Sequence, residues 1–145
     1  MNGQVIFGKQ YLPVSIAIFI IFPLIAGEQL RNLIFMKQYV IDELRPKDYQ
    51  MIKSFMDEKF GSSNVDGVYW IELDHNILTP IQKEHTECQP FYFAAVLELN
   101  IIAFELLVRT KNRMRCSCMG YATENQRNWL IRVADAIFDK LGIKT

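Results

Sequence analysis

Two short motifs hold four of the five cysteine and histidine side chains in this sequence. His85-x-x-Cys88 and Cys116-x-Cys118 contain all three cysteines and one of the two histidines. A structural zinc site needs four nitrogen or sulfur ligands in a tetrahedron, and this set has that number and those types. Its spacing differs from the usual knuckle, in which Cys-x-x-Cys folds into a tight turn. Cys-x-Cys on a strand holds two thiols on one face, two residues apart. Cys116 and Cys118 also fit as small core hydrophobes, the ordinary role of a free cysteine. Two readings therefore stand. His85, Cys88, Cys116 and Cys118 are candidate ligands of zinc or iron, structural or redox-sensing, or the two later cysteines are simply packed in the core.

Three other arrangements invite a chemical reading. His85 and Cys88 lie three apart and would share a helix face as a thiolate–imidazole pair. The end of a helix does not depress a thiol pKa as its start does, and nothing in the sequence orients the histidine. Asp74-His75 after a strand resembles an acid/base pair but reads more simply as turn chemistry. Arg109, Lys111, Arg113 and Arg115 recur at every second residue, a positive ribbon able to contact phosphates. No aromatic residues alternate with them, so a stacking platform is not evident and nucleic acid is a disfavoured partner. The expected balance for Arg109 and Arg115 is Glu98 and Glu105 across the strands. A Gly-rich phosphate loop, a nucleophile elbow and His-Glu-x-x-His are all missing from the sequence, and no catalytic residue is assigned.

The chain that must position these groups has 145 residues, half of them apolar, with 16 basic and 16 acidic side chains. That is one domain by length, and a balanced charge exerts no general pull toward nucleic acid or anionic lipid. An odd, low cysteine count argues against a disulfide framework and suits a reducing compartment.

The expected fold is α+β: an antiparallel sheet of about four strands with two long helices on one face, in the order α-β-α-β-β-β-α. Pro46 opens the first helix and Gly61 closes it, with Tyr49, Ile52, Phe55, Met56 and Phe60 as its apolar stripe. Val68–Ile71 is a strand. Thr79, Pro80 and Gln82 start a short helix expected to run two turns to Cys88, where Pro90 stops it. A three-stranded meander follows over 91–98, 101–109 and about 114–119. A two-residue turn at Leu99-Asn100 puts Phe91, Phe93, Ala95 and Leu97 on one face with Ile102, Phe104, Leu106 and Val108. A three-residue loop, Lys111-Asn112-Arg113, then sends Cys116 and Cys118 inward, whereas a two-residue loop would bury Arg115 and Ser117. Thr123 with Gln126 caps the last helix. Its stripe is Leu130, Val133, Ala134, Ile137 and Leu141, and Gly142 ends it. The opposite sheet face, with Tyr92, Ala94, Val96, Ala103 and Leu107, is too apolar to be left uncovered.

Residues 1–35 form a separate apolar segment ahead of the domain, which spans 36–145. Residues 11–27 carry no charge and are just long enough to cross a bilayer. They read as a membrane anchor if translation starts at Met1. If it starts at Met36, where the sequence reads as the opening of a soluble bacterial domain, the protein is cytoplasmic. A signal peptide fits less well, because Leu24 stands where a small residue is wanted. The functional expectation is a small non-enzymatic binding or assembly domain that self-associates through the apolar sheet face. The alternative is a metal-binding module using His85, Cys88, Cys116 and Cys118.

Overall fold

Residues 3–6, 37–61 and 63–145 are described by the structure, a computed structural model. The uncharged run 11–27 and Met36 lie outside them. Among the described residues no helix is long and apolar enough to cross a membrane.

The architecture is α+β, with an antiparallel sheet and three helices. The strands are β1 (Gly3–Ile6), β2 (Gln38–Ile41), β3 (Val68–Glu72), β4 (Phe91–Glu98), β5 (Ile101–Glu105), β6 (Leu107–Thr110) and β7 (Gly120–Tyr121). The helices are α1 (Pro46–Phe60), α2 (Pro80–Glu84) and α3 (Glu124–Leu141). In the sheet β1 pairs with β2, β2 with β5, β5 with β4 and β4 with β3, all antiparallel. β6 prolongs the hairpin along β4, and β7 pairs with β6.

The β4–β5 register is the expected one. Glu98 pairs with Ile101 around the Leu99-Asn100 turn, and Ala95 faces Phe104. Phe91, Phe93, Ala95, Leu97, Ile102, Phe104, Leu106 and Val108 share one buried cluster. Both long helices pack into that cluster, α1 through Ile52 and Met56, α3 through Leu130, Ala134, Ile137 and Phe138. Burying this apolar area on a single sheet face is the main source of stability. The helix ends follow from local chemistry. Asp48 accepts from the Arg45 backbone N–H at 3.1 Å, and Arg45 holds its carboxyl below the usual range. Gly142 adopts φ 66°, the left-handed conformation that costs glycine least.

Four expectations are corrected. The sequence reading placed no strand before Val68, yet β2 runs beside β5, with Tyr39, Val40 and Ile41 all buried. A strand covered on both faces shows no alternation to read. The single strand expected over 101–109 is broken at Leu106. Ala95 pairs with Phe104 and Tyr92 with Arg109, so Phe93 and Ala94 face the longer stretch Glu105–Val108. The insertion is even, which keeps Phe104, Leu106 and Val108 on the core side. At the break Leu106 donates to the Lys37 carbonyl and accepts from the Ala122 N–H, both at 2.8 Å, joining the β2 and β7 sides. The short helix stops at Glu84, opens at His85 and resumes as a 3-10 turn over Thr86–Cys88. Finally, 114–119 is not a strand and Lys111-Asn112-Arg113 is not a hairpin loop. The chain closes a tight turn in which the Met119 N–H donates to the Cys116 carbonyl at 3.1 Å. The sidedness expected for the segment holds in part: Cys118 is buried and Arg115 and Ser117 are exposed, but Cys116, expected in the core, is only half-buried.

Candidate metal centre

The two turns that depart from regular structure face each other. His85 precedes and Cys88 ends the 3-10 turn after α2, and Cys116 and Cys118 belong to the turn before β7. His85 Nδ1 lies 3.1 Å from Cys116 Sγ, and Cys88 Sγ lies 3.8 Å from Cys116 Sγ. The four ligand atoms, one imidazole nitrogen and three sulfurs, all lie within 4.8 Å of one another. Zinc bonds of about 2.3 Å to sulfur and about 2.0–2.1 Å to nitrogen give tetrahedral edges of about 3.8 Å and about 3.6 Å. The Cys88–Cys116 sulfur separation matches the sulfur–sulfur edge, the His85–Cys116 separation is shorter than the nitrogen–sulfur edge, and the group could hold a metal ion. Cys88 and Cys118 are 0% and 2% exposed, while His85 and Cys116 are half-buried. All three thiols are free.

Hydrogen bonds around the ligands hold both turns in place. The Cys88 N–H donates to the His85 carbonyl at 3.0 Å. The Thr110 hydroxyl donates to the Cys88 carbonyl. Asn112 Nδ2 donates to the carbonyls of Gln89 at 2.8 Å and Glu87 at 3.2 Å, fastening the segment after β6 to the His85–Cys88 turn. Gln82 Nε2 donates to the Cys118 carbonyl at 3.2 Å. Sequence reasoning missed Thr110 and Asn112, which carried no local signal. It recognised Gln82 and Gln126 as helix caps but not as buried residues beside the cluster.

The electrostatics divide the three thiols. Cys116 is drawn down to about 6, first by the Cys118 backbone N–H, then by the Cys118 thiol, His85 and Cys88, against the opposing effect of burial. Burial pushes Cys118 up to about 12, with Cys116 and Cys88 adding to the shift. Cys88 is also raised, chiefly by burial. Three thiolates this close repel one another. A divalent cation held among them would supply the compensating charge and take the place of their protons.

The other arrangements resolve into structural roles. His85 reaches toward Cys116, and Cys88 is fully buried with a raised pKa, the opposite of an activated nucleophile. Asp74 caps the 3-10 turn His75–Ile77, accepting from the Asn76 N–H at 2.8 Å. In the basic ribbon Arg109 of β6 pairs with Glu105 at the end of β5 at 2.8 Å, across the break at Leu106. Arg113 approaches Glu87 at 4.0 Å. Lys111 sits over the rings of Tyr92 and Trp70, at 4.2 and 5.6 Å from their centroids. Aromatic neighbours invisible in the local sequence thus come from β3 and β4.

No protein-family model matches the chain, and neither does any curated protein or solved structure. Function is therefore argued from the site itself.

Proposed function

We propose that the chain is a metal-binding module in which His85, Cys88, Cys116 and Cys118 hold one structural Zn²⁺. The observation that carries this reading is the convergence of four soft ligand atoms within 4.8 Å. A three-thiolate, one-imidazole set favours zinc over oxygen-seeking cations, and four protein ligands close the coordination sphere, as structural rather than catalytic sites do. The ion would cross-link the turn after α2 to the turn before β7, elements whose ligands are 28 residues or more apart in sequence. The test is the metal content of protein purified without a histidine tag. About one zinc per chain, lost in Cys116→Ser, supports the reading. A folded protein free of metal refutes it, and iron in place of zinc would support a redox-sensing module at the same ligands.

A second reading concerns partners. On the sheet face opposite α1 and α3, Ala94 and Val40 are buried, while Tyr92, Val96, Ala103 and Leu107 are half-buried. This supports association of two copies of the chain through that face. Light scattering behind size exclusion tests it, and a monomer at high concentration rejects it.

A further inference from the structure

We propose that Gln82 is a positioning residue for the metal centre, fixing the Cys116–Cys118 turn through the Cys118 carbonyl. The inference rests on the metal-binding reading above.

The Gln82 side chain is 4% exposed and every polar atom of its carboxamide is used. Its Oε1 accepts from the Thr79 backbone N–H at 3.0 Å and from Gln126 Nε2 at 2.7 Å. Gln126 is 1% exposed and equally committed. Its Oε1 accepts from the Thr123 N–H at 3.2 Å, and its Nε2 donates to the Ile77 carbonyl at 3.1 Å as well as to Gln82. These partners remove the usual ambiguity of amide orientation. A backbone N–H can only donate, so the oxygen of each glutamine must face its cap. The nitrogen of Gln82 is then left pointing at the Cys118 carbonyl, 3.2 Å away.

Two capping boxes, Thr79 with Gln82 and Thr123 with Gln126, thus meet side by side at the cluster. Each satisfies a helix start, and together they supply the buried donor that the Cys118 carbonyl requires. That carbonyl belongs to a ligand residue in a turn closed by one backbone hydrogen bond, from the Met119 N–H to the Cys116 carbonyl. Holding it sets the direction in which the Cys118 thiol leaves the turn. Partners of this kind outside the ligand set orient the ligands, and their loss commonly weakens metal binding about 10–100-fold.

Two substitutions separate positioning from general stability. Gln82→Glu keeps the oxygen that accepts from the Thr79 N–H and from Gln126, but replaces the donor to the Cys118 carbonyl with an acceptor. Thr79→Ala breaks the same capping box and leaves that donor in place. Zn²⁺ affinity is measured on the full chain by competition with a chromophoric chelator. Co²⁺ is read by its thiolate charge-transfer and d–d absorption. The expected result is a loss of about 10–100-fold in Zn²⁺ affinity and an altered Co²⁺ spectrum for Gln82→Glu. Thr79→Ala should lower the melting temperature yet hold affinity within about twofold, since it removes a cap and no support of the ligands. Should Gln82→Glu not fold, Gln82→Met removes the same donor and reads the same affinity. Wild-type affinity in the Gln82 variant, or an equal loss in Thr79→Ala, overturns the positioning role while the metal site stands. A wild-type chain that takes up neither ion overturns both.

Discussion

Lowering the pH should release the metal with a steepness set by the unequal thiols. Around pH 7–8 the metal-free cluster already carries a thiolate at Cys116, drawn down to about 6, whereas Cys118, pushed up to about 12, and Cys88, also raised, keep their protons. A bound metal needs all three thiolates, so each ion displaces two protons from the thiol set in this window. One proton contributes about 1.4 kcal/mol per pH unit, so two weaken binding by about 2.7 kcal/mol, roughly a hundredfold, for each unit of acidification. Below the Cys116 value a third proton joins and the loss steepens. Calorimetry in two buffers of different ionisation enthalpy counts the protons directly. Three protons from the thiols near pH 7.5 would refute the preformed Cys116 thiolate, while none would refute thiolate ligation altogether.

Gln126→Ala removes three hydrogen bonds at once, to the Thr123 N–H, the Ile77 carbonyl and Gln82. At about 1 kcal/mol each the loss is about 3 kcal/mol, against about 1 kcal/mol for Thr123→Ala, which removes only a cap. Denaturant unfolding compares them, and equal losses contradict a shared buried network. Tyr39 and Tyr69, hydrogen-bonded to Asp135 and Asp57, ionise near pH 12, chiefly because burial disfavours the phenolate. Their folded pKa values are raised, so the stability they contribute is complete below about pH 10 and lost as pH rises through about 12. Absorbance at alkaline pH should lose one late-titrating step in each of Tyr39→Phe and Tyr69→Phe, and unchanged curves reject the assignment.

Much of the local structure was legible because its causes are local. Pro46 and Gly61 bound α1, Thr123, Gln126 and Gly142 bound α3, and each acts through backbone groups within a few residues of itself. Parity around the Leu99-Asn100 turn was enough to name the core face of β4 and β5, since a slip of one residue would have turned Phe93 and Phe104 to the other side. The membership of the cluster was legible too, from residue type alone. Its geometry was not. Cys-x-Cys reads as a strand when alternation is the only guide, but the partners that make it a turn stand far away in sequence, Gln82 at the Cys118 carbonyl and His85 at the Cys116 sulfur. The break at Leu106 likewise depends on Lys37 and Ala122, and β2 shows no period because it is buried on both sides. Chain proximity dictates caps and parity, whereas the meeting of two irregular turns depends on the sheet and the α3 helix that bring them together.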